Sequence, residues 1–131
     1  METAAAFLSD PGRYQSVLHV VLHFAVPFAV ALLFYRTRWR SALLIMLATM
    51  LVDLDHLLAS PVYDPDRCSI GFHPLHTALP LVLYGVLFSA PLIAKRVGLH
   101  AGRGMNTLHL VGLGLLIHMA LDWSDCVRML R

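Results

Sequence analysis

The chain has 131 residues, of which 58% are hydrophobic and only 14% charged. Its length fits one domain, and its composition is too apolar for an ordinary soluble one. The formal net charge of +2 is spread over short loops, so there is no basic patch to suggest nucleic-acid binding.

A bilayer is crossed by ~20 mostly apolar residues. Four stretches meet that length, at about residues 17–35, 41–59, 74–94 and 105–123. The predicted fold is therefore all-α: an integral membrane four-helix bundle forming a single transmembrane domain over residues 1–131. The opening residues lack the basic start and apolar core of a cleavable signal peptide.

The first segment carries His19 and His23 and ends at Tyr35 and Trp39, aromatic residues suited to a membrane interface. A short basic link with Arg36, Arg38 and Arg40 makes it an antiparallel hairpin with the second segment. The second segment carries Asp53, Asp55 and His56 near its far end. Prolines and aspartates between Ser60 and Asp66 then mark a turn. Pro74 suits the first turn of the third segment, whose start is bracketed by His73 and His76. Gly98, Gly102 and Gly104 mark the link to the fourth segment, which carries His118 and Asp122. Gly85, Gly112 and Gly114 are expected at close helix contacts.

The two links with Arg36, Arg38, Arg40, Lys95, Arg96 and Arg103 are expected on the cytoplasmic side. Arg13, Arg67, Arg128, Arg131 and all the acids fall on the other side. Both termini and the Pro61–Phe72 loop are thus expected to be non-cytoplasmic, in a multi-pass protein of a bacterial inner membrane.

Ionisable groups are costly inside a membrane and are retained mainly for a partner or a function. At ~1.5 Å per helical residue, His23, Asp53 and His118 lie roughly 8–9 Å inside their outer helix ends, and His19, His56, His76 and Asp122 lie roughly 2–5 Å inside. His19 and His23 share a helix face, as do His118 and Asp122, and Asp53 and His56. Asp55 points elsewhere if the helix is regular. His100 and His109 fall on the opposite side and are left out. Imidazole and carboxylate donors suit zinc, manganese or iron. The predicted ligand set is His19, His23, Asp53, His56, His73, His76, His118 and Asp122. Such a set serves one or two divalent ions, most simply zinc, with surplus residues orienting the ligands. Pro27 and Pro80 each follow a candidate ligand by four residues, which would bend the helix axis at His23 and His76. Cys68 and Cys126 are expected on the outer side, where a disulfide would close the outer loop over the site. Two free thiols or two thiolate ligands are the alternatives.

The motifs Asp53-Leu-Asp55-His56, Arg67-Cys-Ser-Ile-Gly-Phe-His73-Pro-Leu-His76 and His118-x-x-x-Asp122 resemble those of a small bacterial membrane family of unknown function. The resemblance runs from about Leu18 to Cys126. That family is in turn similar to the membrane-bound metal-dependent hydrolases, whose pattern is Asp-x-Asp-His, then His-Arg-x-x-Thr-His-Ser, then His-x-x-x-Asp. The first and last elements match here. The middle one departs, because His73 and His76 are closer together than the corresponding histidines of the larger group.

The resemblance implies a membrane-embedded metal-dependent hydrolase acting on a lipid or amphipathic substrate near the outer surface. A metal-activated water would be the nucleophile, and Asp55 or another unligated carboxylate the general base. The alternatives are a non-enzymatic metal-binding protein and a b-type haem protein with His23 and His118 as axial ligands.

Overall fold

The computed structural model describes residues 11–62, 64, 66–99 and 102–130. His100 and Arg131, named above, and the acids Glu2 and Asp10 lie outside the described residues. Helix α1 is Pro11–Phe34, followed by a 3₁₀ turn at Arg36–Arg38. Helix α2 is Trp39–Ala48 and continues directly as a 3₁₀ helix, Thr49–Leu58. After the loop that follows Leu58 comes a 3₁₀ turn at Pro74–His76, then α3 (Ala78–Arg96) and α4 (Arg103–Met129). Four spans, Gly12–Phe34, Arg36–Leu58, Ala78–Arg96 and Arg103–Met129, are long and apolar enough to cross a membrane. The all-α, four-helix expectation therefore holds.

The boundaries differ in ways that bear on the site. The third helix starts at Ala78 and not at Pro74, because Thr77 is extended (φ −91°, ψ 173°) and cannot continue a helix. His76 is thus held on a separate turn. Pro80 falls in the first turn of α3, where a proline is tolerated, and it bends nothing at His76. Pro27 does lie inside α1. Helix α4 runs on to Met129, well past Trp123, which adds Asp125 and Cys126 to its C-terminal end.

Helix α4 is the hub of the bundle. It packs against α1, α2, the 3₁₀ helix and α3. The close approach depends on two of its glycines. A Cβ on Gly112 would meet the Phe88 backbone nitrogen and the Leu87 carbonyl carbon, the latter at 2.7 Å. A Cβ on Gly114 would lie 2.9 Å from the Met46 Cα and 2.7 Å from the Thr49 hydroxyl. Small residues at such contacts let backbones pack where lipid removes the hydrophobic drive for association. Gly85 was expected to do the same but has nothing within 4 Å of its Cβ position, so it makes no close contact.

Two apolar layers fill the interior. Ala31, Ala42, Met46 and Leu110 form one, and Val52, Tyr84, Leu115 and Met119 the other. Large apolar side chains such as Val21, Phe24, Leu33, Leu44, Leu79 and Val82 face outward, as a bilayer requires. At the end away from the acids, the Tyr35 hydroxyl and His109 Nε2 are 2.7 Å apart, while His109 Nδ1 donates to the Phe88 carbonyl at 2.9 Å. That chain ties three spans together, so His109 has a packing role. Cys68 and Cys126 form a disulfide with a Cα–Cα distance of 5.0 Å. It fixes the loop between Leu58 and Pro74 to the last turns of α4 and removes the two thiol alternatives.

These contacts give a first prediction. Gly112→Leu and Gly114→Leu should each lower stability by at least ~1–3 kcal/mol, the range for an overpacked core. Gly85→Ala should be neutral or stabilising by up to about 1 kcal/mol, through helix propensity. Thermal unfolding of the detergent-solubilised protein measures both. Equal losses at all three positions would show that α4 does not depend on the close approach.

Candidate metal centre

The local geometry begins with the 3₁₀ helix, which is unusually long for that conformation. Thr49 starts it: its hydroxyl donates to the Met46 carbonyl at 2.6 Å, in the turn where α2 gives way. At three residues per turn, the sequence divides into three stripes. Thr49, Val52 and Asp55 are buried against the bundle. Leu51, Leu54 and Leu57 are exposed on the lipid side. Asp53 and His56 form the third stripe. Residues two apart are separated by about 120° around a 3₁₀ axis and about 160° around an α-helix. The tighter winding therefore brings Asp55 towards the side that Asp53 occupies, and both carboxylates reach His76.

Four side chains from three elements converge. Asp53 comes from the 3₁₀ helix, His76 from the turn before α3, and His118 and Asp122 from α4. One ligand atom from each lies within 4.8 Å of all the others, close enough for one metal ion. His118 Nε2 is 3.0 Å and His76 Nε2 is 3.4 Å from Asp53 Oδ1. The same two nitrogens are 3.6 Å and 3.2 Å from Asp122 Oδ2. A tetrahedral ion with bonds of ~2.0–2.1 Å holds its ligand atoms about 3.3 Å apart. The four histidine–carboxylate separations are thus close to those that such an ion needs. His76 Nε2 and Asp122 Oδ2 are both buried, yet neither is aligned for a hydrogen bond. Buried polar atoms rarely go unpaired, and an ion between them removes the anomaly.

The surroundings orient these donors. Asp55 Oδ2 accepts from the Leu75 amide at 2.8 Å and lies 3.2 Å from His76 Nδ1. Its Oδ1 is 3.1 Å from His56 Nδ1. Asp55 therefore sets the ring of His76 and the turn that carries it, the arrangement that fixes the tautomer of a ligating imidazole. Tyr84 donates to the Leu75 carbonyl at 3.0 Å and braces the same turn from α3.

The other predicted residues divide into two groups. His19 and His23 join Asp122 on its other oxygen, with their Nε2 atoms 3.8 Å and 3.3 Å from Oδ1. His56 borders the four-donor group, with its Nδ1 3.5 Å from Asp53 Oδ1, and forms a further cluster of potential ligands with Asp55 and His76, whereas His73 lies behind it. The nitrogens of His56 are engaged by Asp55 and by Ser69 Oγ at 3.1 Å, and its ring stacks on His73 at 3.7 Å between centroids. Sequence reasoning missed Asp125, whose Oδ2 is 3.0 Å from His19 Nδ1. It is one helical turn beyond Asp122, and ending the fourth segment at Trp123 hid that signal. The haem alternative fails on space: the His23 and His118 rings meet edge to face with centroids 4.6 Å apart, which leaves no room for a macrocycle between them.

Electrostatics point the same way. Burial opposes the protonated form of His76, but the carboxylates of Asp122, Asp53 and Asp55, each within 3.4 Å, outweigh it and raise the pKa to about 10. Burial, followed by the neighbouring His56 ring, pushes His73 down. A cluster that holds a proton so firmly is one that attracts cations.

Beside the centre is a cavity of about 420 Å³, with His19, Asp53, His56, Arg67, His73 and Asp122 in its wall. The side chain of Asp53 is 37% exposed, whereas those of His76, His118 and Asp122 are at most 2% exposed. Access is therefore from the Asp53 side.

An all-helical membrane bundle with a buried His/Asp cluster is the class these features define. The chain belongs to the Family of unknown function (DUF6122), which it matches over residues 13–129. No curated protein and no solved structure matches it significantly.

The raised pKa of His76 sets a pH dependence for the chelator-treated protein. A raised folded pKa stabilises fully below the unfolded value of ~6.5, and the contribution is gone above about 10. The thermal midpoint should therefore fall as pH rises through that window, and His76→Gln should flatten the slope. A slope unchanged in His76→Gln would show that the carboxylates do not hold this proton.

Proposed function

We propose that the protein is a membrane-embedded metal-dependent hydrolase acting on a lipid or amphipathic substrate that enters through the cavity. The observation that carries this reading is the division of the four donors into three buried ones and one exposed one. Catalytic zinc sites take three protein ligands and keep a position open. His76, His118 and Asp122 form such a set. Asp53 lies at the open edge, between the buried donors and the cavity. A bound divalent ion supplies Lewis acidity and brings the pKa of water towards neutrality.

In this scheme Asp53 accepts the proton of the attacking water and returns it to the leaving group. Asp55 does not serve as the base. Both of its oxygens are committed to His56, His76 and the Leu75 amide, so it positions His76. The similarity of the Asp-x-Asp-His and His-x-x-x-Asp motifs to those of the membrane-bound metal-dependent hydrolases supports the same reaction class. We place the site at the non-cytoplasmic side of a bacterial inner membrane, on the distribution of Lys and Arg between the loops.

A second reading rests on the same four donors. If Asp53 also ligates, a tetrahedral ion is saturated by protein, which is the pattern of a structural, storage or sensing site. Asp53→Asn separates the two. On the hydrolase reading it retains metal through three donors but loses ~10²–10⁴-fold in turnover, the usual share of a general base. His118→Ala loses the metal. Asp55→Asn weakens metal affinity by about 10–100-fold, as expected for a partner of a ligating histidine. Elemental analysis reads the metal, and release from lipid phosphoesters, esters and amides reads the turnover. Stoichiometric metal with no hydrolysis of any of these classes would favour the non-enzymatic reading. Absence of stoichiometric metal would end both.

A further inference from the structure

We infer that Asp122 bridges two cation sites, and that His19 and His23 complete a second, more open one on its Oδ1. This inference rests on the metal centre proposed above, to which Asp122 contributes Oδ2. It adds a second divalent transition-metal ion at a place with a different donor set and different access.

Asp122 Oδ1 is the atom left over by the first centre. It lies 3.3 Å from His23 Nε2 and 3.8 Å from His19 Nε2, and the three residues bring their ligand atoms within 4.8 Å of one another. Both histidines come from α1, one helical turn apart, and this helix contributes nothing to the first centre. The tautomer of His23 is already set for ligation. Its Nδ1 donates to the His19 carbonyl at 2.8 Å, which leaves the Nε2 lone pair directed elsewhere. That Nε2 is buried and has no hydrogen-bond partner. His19 Nδ1 lies 3.0 Å from Asp125 Oδ2, close to a carboxylate but not aligned for a hydrogen bond to it.

The charge of the cavity selects a cation over an anion. Asp53, Asp64, Asp66, Asp122 and Asp125 line it, against the single arginine Arg67. Arg67 is already engaged with Asp64 at 3.4 Å and the Pro61 carbonyl at 2.8 Å. Asp64 is paired with Arg67 and Asp125 with Arg128 at 2.6 Å, so the excess negative charge at the wall rests on Asp53, Asp66 and Asp122, which would repel a free phosphate and attract a divalent ion. The two donor sets are also adjacent, because the His23 and His118 rings are in edge-to-face contact. Paired ions in two-metal hydrolases lie ~3.5–4 Å apart and share bridging ligands. Two imidazoles and one carboxylate oxygen leave the second ion short of a full shell. Its open side adjoins His19, whose side chain is 30% exposed at the cavity wall. The second ion is therefore the weaker and more exchangeable of the two.

The test uses the full-length protein in detergent, loaded with Mn²⁺ and then desalted. Wild type should hold two ions per chain by elemental analysis and give the electron paramagnetic resonance signal of an exchange-coupled Mn²⁺ pair. His19→Gln and the double variant with His23→Gln should each hold one ion and give an uncoupled signal. The single variant alters only a partly exposed side chain, so it guards against misfolding of the double one. His118→Ala should lose the coupled signal as well. Two ions and a coupled signal retained in both α1 variants would overturn the assignment to His19 and His23. One ion in wild type, unchanged in the α1 variants, would overturn the second site and leave the first intact. No bound Mn²⁺ in any variant, with Zn²⁺ and Fe²⁺ giving the same result, would overturn both.

Discussion

The burial of the Asp122 carboxylate is the constraint on which the rest of the structure depends. It sits inside the C-terminal end of α4, the helix that touches every other span, and its side chain is almost wholly inaccessible. A bare charge at such a position is prohibitively costly and must be neutralised by what surrounds it. Three elements answer with imidazoles, His19 and His23 from α1, His76 from the turn before α3 and His118 from α4 itself, while the 3₁₀ helix adds a second acid, Asp53. The arrangement still leaves buried nitrogen and oxygen atoms out of hydrogen-bond alignment. Histidine–aspartate pairing alone does not complete the network, whereas a metal ion would.

The departure from α-helical winding after Ala48 serves the same end. An α-helix through residues 49–58 would turn Asp55 almost opposite to Asp53, leaving one acid in the interior and the other in lipid. Three residues per turn keep the leucines on one stripe and give each acid its own route to His76. A long 3₁₀ segment has poorer hydrogen-bond geometry than an α-helix. Here it is offset by the contacts of Asp55 with the Leu75 amide and with two imidazoles. The loop that carries Cys68 and leads to His76 is thereby pinned twice, by this carboxylate and by the disulfide.

Much of this was legible in the sequence. Long apolar runs announced four spans, and the interruptions in them announced which residues would meet. Asp53, His76, His118 and Asp122 were readable because acids and histidines in apolar helices are rare enough to stand out. The partition of roles was not readable. An α-helical wheel set Asp55 apart, yet the 3₁₀ winding gives Asp55 the central supporting position, while Asp53 and His56 share a stripe in either winding. The period of three was present in Leu51, Leu54 and Leu57, but so short a pattern does not distinguish the two windings. Asp125 was hidden by a helix end placed a turn and a half too early. Gly85 shows the opposite error: a glycine in a membrane helix invites a packing reading, and here nothing approaches it. The tie between Tyr84 and the Leu75 carbonyl leaves no trace in sequence, because it depends on where a loop returns.

The position of Asp122 in chain order has a consequence for biogenesis. Helices α1 to α3 are synthesised first, and they carry His19, His23, Asp53, Asp55, His56 and His76. Until α4 emerges, those groups have no Asp122 or His118 to meet, and Cys68 has no Cys126. The three earlier spans are thus an incomplete bundle bearing polar groups that the bilayer does not solvate well. Closure comes only with α4, which brings the buried Asp122 carboxylate, the glycine seams and the second half of the disulfide together. A chain interrupted before α4 would therefore expose unpaired acids and histidines at the membrane surface, a mark by which cellular quality control can tell an unfinished protein from a finished one.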